Sequence, residues 1–210
     1  YASARQNSER ALSIFRALSH ERGIGMALVT LAEATRRLAG TTPLLSDTDR
    51  ISHLRAARDY ASNAKNLFEK QKESSRQVEA LIELGVALRD WVHLLKESPQ
   101  PGDDPVKLTD DSRKVLQEAA QLAEEIKLIH RRVDALVNLA WLEYYLLEKD
   151  DIVFEESNIR KAIDTTEKAF PSEEEMRKSL QIYGQKGKLF VLKGHLSFRE
   201  YLQARKKTAK

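Results

Sequence analysis

The stretch Leu81-Ile-Glu-Leu84-Gly85 decides the fold, because its order of a leucine, two residues, an apolar residue and a small residue recurs along the chain. It returns as Leu28-Val-Thr-Leu31-Ala32, Leu136-Val-Asn-Leu139-Ala140 and Leu180-Gln-Ile-Tyr183-Gly184. The starts are 53, 55 and 44 residues apart. Repeats of this length predict stacked helical units, each of which buries its apolar face against its neighbours. Arrays of this kind usually offer binding surfaces rather than reaction sites, so the pattern predicts a class of function without naming a partner.

The composition excludes several classes of protein. Of 210 residues, 41% are hydrophobic and 32% are charged, which fits a helical protein with a real core. The net charge of +3 is too balanced to favour a polyanion partner. The chain has no cysteine, which excludes disulfides, thiolate metal sites and cysteine nucleophiles and agrees with a cytoplasmic location. No apolar run approaches the roughly 18 residues of a membrane span, so no membrane partner is expected.

The prolines divide the chain into helices. All five lie between stretches of helical apolar periodicity, and no stretch alternates with period two for long enough to form a sheet. The sequence therefore predicts an all-α fold of about eight helices, at about residues 2–19, 21–40, 48–72, 75–97, 109–127, 129–149, 152–170 and 172–206. The last helix is expected to break near Gly194, because three glycines lower its helical propensity. The long connection from Glu97 to Leu108 is rich in Pro, Gly and Asp and is expected to be a mobile, solvated connector rather than a functional loop.

The helix pairs resemble the tetratricopeptide repeat (TPR). In that family a first helix carries spaced large residues followed by a small one, which lets helices approach closely, and a second helix carries spaced alanines. The small residue of each unit is Ala32, Gly85, Ala140 or Gly184. Ala11, Ala64 and Ala119 each precede the motif leucine by 17 residues, whereas Ile163 occupies that offset in the fourth unit.

The resemblance implies a single TPR-like α-solenoid of antiparallel helix pairs with long loops within the repeats. Because the family repeat is about 34 residues long, those loops and extended helices would absorb the excess length. The expected organisation is a lone second helix at 1–19, helix pairs at 21–72, 75–127 and 129–170, and a terminal helix with a basic tail at 172–210. Since the chain starts with Tyr1 inside a helical pattern, we interpret it as excised from a longer protein. The extended helices and Arg-containing corners are also similar to the sensor arrays of bacterial STAND-type signalling ATPases.

The resemblance also implies where a partner lies, because in this family the first helices line the concave surface. The partner-binding residues implied on that surface are Glu33, Arg36, Arg37, Ile82, Val86, Arg89, Val137, Trp141, Tyr144 and Tyr145. Further exposed positions implied there are Val29, Glu79, Asp90, Asp134, Lys178, Gln181, Gln185 and Lys188.

Two features of this implied surface have alternative interpretations. Trp141, Tyr144 and Tyr145 share one helix face at i, i+3 and i+4 and are residue types that often anchor partners, but they could equally pack on a neighbouring helix. The arginines could pair with acidic groups of a ligand or with neighbouring carboxylates in a solvated charged face.

Residue types that commonly act in catalysis form no recognisable motif in this sequence. The five histidines form no i, i+4 pair and no His-Glu-x-x-His arrangement, and no strand precedes the glycines at 23 and 25. We therefore expect no catalytic residue, no metal and no cofactor, and a protein that is not an enzyme.

Three functions remain as hypotheses. The leading one is a protein- or peptide-binding sensor module of a multidomain bacterial signalling protein, in which flanking domains are further partners. The alternative is a structural spacer or oligomerisation scaffold with a self-association seam. The second alternative is a nucleic-acid-binding helical repeat, which needs a continuous basic stripe. The basic end from Arg199 to Lys210 could contribute to such a stripe or be a solvated terminus.

Overall fold

The structure is a computed structural model that describes residues 1–146 and 156–208. In these residues helices are joined by turns and loops, and there is no strand. Within these residues the all-α expectation is confirmed. The helices are α1 (Ala2–Ala17), α2 (Glu21–Thr41), α3 (Asp47–Lys70), α4 (Ser74–Glu97), α5 (Pro105–Glu125), α6 (Ile129–Leu146), α7 (Glu156–Ala169), α8 (Glu173–Met176) and α9 (Leu180–Thr208). The ends predicted at 149 and 152 lie outside the described residues. Each of the described helices is too short or too polar to cross a membrane.

The helices stack as a linear series of pairs. Each helix from α1 to α6 packs on the next helix in the chain. In addition, α2 contacts α4, α4 contacts α6, and α6 contacts α9, so these four first helices form one continuous layer. The second helices α3 and α5 each lie against two first helices. Any groove along the layer is therefore lined by several units of the chain.

Three corners of the same geometry connect a second helix to the following first helix. Ser19, Lys72 and Lys127 have φ of 52°, 58° and 58°, in the left-handed region. At the first corner the His20 amide donates to the Phe15 carbonyl at 2.9 Å, and the other two corners have the equivalent bond. These bonds are those of a Schellman cap, which usually contains glycine at the left-handed position. The three positions are 53 and 55 residues apart, so the backbone repeats with the period of the sequence motif.

The small residue of the motif permits close helix contact at Gly85. A Cβ at this position would lie 2.6 Å from the Leu116 side chain of α5, and the Ser112 hydroxyl donates to the Gly85 carbonyl at 2.9 Å. Ala32 and Ala140 are also buried. The prediction is wrong for Gly184, because a Cβ there would meet nothing within 4 Å.

The connection between α4 and α5 is shorter and better anchored than expected. The Asp104 carboxylate accepts from the amides of Val106 and Lys107, so α5 begins at Pro105 instead of residue 109. In the remaining loop, 98–104, the buried Asp103 carboxylate accepts from Trp91 Nε1 at 3.1 Å and from Arg55 at 2.6 Å. The loop is mainly exposed, as expected of a solvated connector, but Trp91 of α4 and Arg55 of α3 hold it at Asp103.

Replacing Asp103 with alanine is expected to lower the free energy of unfolding by about 1–3 kcal/mol, because it leaves the Trp91 N–H without its acceptor. Limited proteolysis should then cut the 98–104 loop faster in the variant. Asp111→Ala, which removes an exposed carboxylate of α5, is the matched control and should leave the cleavage rate unchanged. Equal rates for all three proteins would show that Asp103 does not hold the loop.

The predicted break near Gly194 is wrong, because α9 runs without interruption from Leu180 to Thr208. The break lies instead at residues 177–179, after the one-turn helix α8, and the Ser179 hydroxyl accepts from the Ile182 amide at 3.5 Å. A glycine costs a helix only about 1 kcal/mol relative to alanine. Buried leucines of α9, such as Leu192, offset that cost by packing in the core.

Candidate partner-binding groove

A groove of about 440 Å³ runs across the layer of first helices, α2, α4, α6 and α9. We call it the first-helix groove. It is lined by Glu33, Arg36, Arg37, Ile82, Glu83, Val86, Arg89, Arg131, Asp134, Asn138, Trp141, Tyr145, Gln185 and Lys188. The lining combines two aliphatic side chains of α4, Ile82 and Val86, which we call the apolar strip, with two aromatic rings and charges of both signs.

Most of the residues that the sequence placed on the binding face line this groove. Of the ten candidates, the eight that do so are Glu33, Arg36, Arg37, Ile82, Val86, Arg89, Trp141 and Tyr145. Asp134, Gln185 and Lys188 of the wider set join them. Val137 is corrected, since it is fully buried in the core and cannot contact a partner. Tyr144 is outside the lining, and its half-buried ring packs against the core and His195.

Sequence reasoning missed Glu83, Arg131 and Asn138 as lining residues. Glu83 lies one helical turn after Glu79, which was on the predicted face, so helical spacing alone was a sufficient signal. For Arg131 and Asn138 the signal was weaker, because their position depends on how α6 is rotated against α4.

The two rings at the aromatic end of the groove pack against neighbouring side chains. Tyr145 stacks on His93 with ring centroids 4.1 Å apart and an interplanar angle of 4°. The Arg89 guanidinium carbon lies 5.7 Å from the centre of the Tyr145 ring, and the Trp141 ring lies at the same centroid distance. Burial raises the pKa of Tyr145, so its hydroxyl stays neutral near pH 7. Fixed rings lose little conformational entropy when a ligand covers them.

A buried ion-pair cluster lies beside the apolar strip. The Arg36 side chain is only 10% exposed and bonds to Glu83 of α4 at 3.1 Å and to Asp90 at 3.4 Å. Burial lowers the pKa of Arg36, but the two carboxylates outweigh it and raise the pKa overall, so the guanidinium stays charged. Burial raises the pKa of Glu83, against the lowering effect of Arg36, and Glu33 raises it further.

Polar bridges continue from α4 to α6, and Gln185 of α9 donates to Asp134 of α6. Arg89 bonds to Asp90 and to the amide oxygen of Asn138, and Arg131 bonds to Glu79 at 2.7 Å. Burial opposes ionisation of Glu79, but hydrogen bonds from Arg76 and Arg131 outweigh it and lower its pKa. The interpretation of the arginines as paired with neighbouring carboxylates is therefore confirmed. Arg36 and Arg89 make these pairs in a largely buried setting, and Arg37 makes its pair with Glu33 in a solvated one.

The cations left accessible in the groove are at its rim. Arg37 is exposed and makes a 3.4 Å contact with Glu33, and Lys188 is exposed on α9. Among the described residues, no group of His, Asp and Glu side chains is placed to hold a metal ion.

No protein-family model matches the sequence, and no curated protein matches it either.

Proposed function

We propose that this chain is a protein- or peptide-binding module, a TPR-like array whose site is the first-helix groove. One observation supports the proposal: a groove crosses four helices and contains two half-buried aromatic rings that pack against each other and lie beside paired charges. Trp, Tyr and Arg are the residue types that contribute most to the affinity of protein interfaces. The groove supplies all three.

The lining favours an extended peptide with an apolar or aromatic side chain and an acidic group. The apolar side chain would lie against the half-buried rings of Trp141 and Tyr145, above a floor formed by Ile82 and Val86, which are each only 4% exposed. The acidic group would face the exposed cations at the rim. A nucleic acid has less support, because the buried arginines already pair with Glu83 and other carboxylates and form no continuous basic stripe along the groove.

A wider setting for this module is the sensor or partner-recognition part of a cytoplasmic bacterial signalling protein of the STAND type. The long helices and the Arg-containing corners support this setting by resemblance. The groove supports the binding role independently of it.

Selection from a displayed library of random peptides tests the proposal. Enriched peptides should bind Trp141→Ala at least about 30-fold more weakly than the parent protein, since truncation of an interface anchor costs about 2 kcal/mol or more. Phe190→Ala is the matched control, because Phe190 is an exposed aromatic of α9 outside the groove, and it should retain affinity. Circular dichroism would check that both variants keep their helices.

The proposal is wrong if no peptide is enriched, or if the enriched peptides bind the parent and the Trp141→Ala variant equally. Amide chemical shifts on addition of an enriched peptide provide a second readout, and they should change along α4 and α6.

A further inference from the structure

A second groove, of about 420 Å³, lies between the second helices α5 and α7, and α6 forms its floor. We call it the second-helix groove. It shares no lining residue with the first-helix groove. The apolar part of its lining consists of Ala120, Leu136, Leu139 and Ala162. A concave site of this size, with apolar surface and a few polar groups, is typical of sites that bind small molecules.

The second-helix groove is open because its two walls carry alanine where the preceding unit carries charged side chains. Ala120 corresponds to Lys65 through the 55-residue spacing, and Ala162 corresponds to Glu118 through the 44-residue spacing. The ammonium of Lys65 lies 3.8 Å from the Glu118 carboxylate and bridges α3 and α5. Between α5 and α7 the two short alanine side chains leave the corresponding space free.

A carboxylate lies on the floor of the second-helix groove, at a position that an apolar side chain occupies in the preceding unit. Glu143 of α6 corresponds to Leu88 of α4, and both residues are buried. Arg113 of α5 donates to Glu143 Oε1 at 2.8 Å, but its contact with Oε2 is 3.4 Å long. The same guanidinium also donates to Asp110, so two carboxylates share one cation. Because a carboxylate offers about four acceptor sites, Glu143 can accept from a further donor in the groove.

An ammonium group without a counter-charge lies on the α7 wall of the second-helix groove. Lys161 lines the groove and is exposed, and no carboxylate of the described residues pairs with it. The groove therefore offers three kinds of contact: a carboxylate that can accept from a cation, an ammonium that can pair with an anion, and apolar surface beside them. A molecule that matches all three contains an ammonium, a carboxylate and an apolar group.

We propose that the second-helix groove binds a free α-amino acid with an apolar side chain. Its ammonium donates to Oε2 of Glu143, and its carboxylate pairs with Lys161. Its side chain lies on Leu136 and Leu139, in the space between the two alanines of the walls. This site is additional to the peptide site, and it is formed by other residues.

Isothermal titration calorimetry of the whole chain with L-leucine and with L-phenylalanine tests this site, and at least one of the two should bind. The N-acetyl derivative of that amino acid lacks the ammonium, and the corresponding amino alcohol lacks the carboxylate. Each analogue should bind at least about 10-fold more weakly, because it loses a hydrogen bond between charged groups. The proposal is wrong if neither amino acid binds at about 10 mM, or if both analogues bind as tightly as the amino acid.

A variant that fills the groove tests where the amino acid binds. Ala120→Lys combined with Ala162→Glu transfers the ion pair of the preceding unit into the groove and should abolish binding. Circular dichroism checks that this double variant keeps its helices. Trp141→Ala, which changes only the first-helix groove, should bind the amino acid like the parent protein. Unchanged affinity in the folded double variant would place the amino acid outside the second-helix groove and overturn the proposal.

Lys161→Gln tests the contact with the carboxylate, and it introduces the residue that α5 has at the corresponding position, Gln117. The variant should bind the amino acid at least about 10-fold more weakly but bind the amino alcohol like the parent, because the alcohol has no carboxylate to pair. Lys168→Gln changes an exposed lysine of α7 outside the groove, and it is the matched control that should retain affinity for both ligands. An unchanged affinity for the amino acid, or an equal loss for both ligands, would contradict the contact with Lys161.

Discussion

Replacement of Phe68 by alanine is expected to lower the free energy of unfolding by about 3–5 kcal/mol, the typical cost of deleting a large aromatic side chain from a core. Phe68 is fully buried at the end of α3, in a cluster that includes Leu12, Leu28 and Leu31. Its ring occupies the space that a side chain at Gly25 would need, since a Cβ there would lie 2.6 Å from the ring. The glycine cannot close the cavity left by the truncation.

Chemical denaturation followed by circular dichroism measures this effect. Phe198→Ala removes the same atoms from an exposed site and should change stability by about 0.5 kcal/mol or less. A Phe68 variant as stable as the Phe198 variant would show that the contact with Gly25 does not hold α2 and α3 together.

Replacement of Arg36 by alanine is expected to cost about 3 kcal/mol at pH 7, because it leaves Glu83 largely buried without its cationic partner. The two side chains are 10% and 17% exposed, so solvent screens the pair only partly. Adding Glu83→Gln to the Arg36 variant should restore part of the loss, since the remaining buried group would then be neutral.

The cost of the Arg36 substitution should depend on pH. The folded-state pKa of Glu83 is raised above the reference value of 4.5, so the energetic cost of its charge appears as pH rises through that folded-state pKa. Arg36 lowers this pKa, and its removal raises it further. The stability deficit of the variant should therefore narrow as pH falls from neutral towards 4.5, where Glu83 becomes protonated. Equal deficits at neutral and acidic pH, or the same dependence in the variant that also carries Glu83→Gln, would contradict this account.

Much of the fold was predictable because the signals are local. The apolar periodicity and the prolines placed the ends of the first six helices to within about two residues, apart from the start of α5 and leaving aside the end of α6, which lies outside the described residues. At α5 the prediction missed the cap formed by Asp104, which lets Pro105 begin the helix. The left-handed corners were not predictable from composition, because Ser19, Lys72 and Lys127 occupy positions where glycine is the usual signal.

The sequence predicted which face of each first helix lies towards the first-helix groove, but not which side chains on that face reach it. Val137 and Trp141 are one turn apart, yet one is in the core and the other lines the groove. Which edge of α6 faces the groove depends on where α9 lies, and that is a long-range property. The pairing of Arg36 with Glu83 joins residues 47 positions apart and has no local sequence signal.

The polar bridges between first helices have a mechanical consequence. Every step along the layer carries one: Arg36 to Glu83 between α2 and α4, Arg131 to Glu79 between α4 and α6, and Gln185 to Asp134 between α6 and α9. Hydrogen-bonded pairs fix the distance and angle between the groups they join, whereas apolar contacts have no preferred direction. Bending that spreads the first helices must therefore stretch directional bonds at each of these steps. The layer that forms the floor of the first-helix groove resists opening along its whole length.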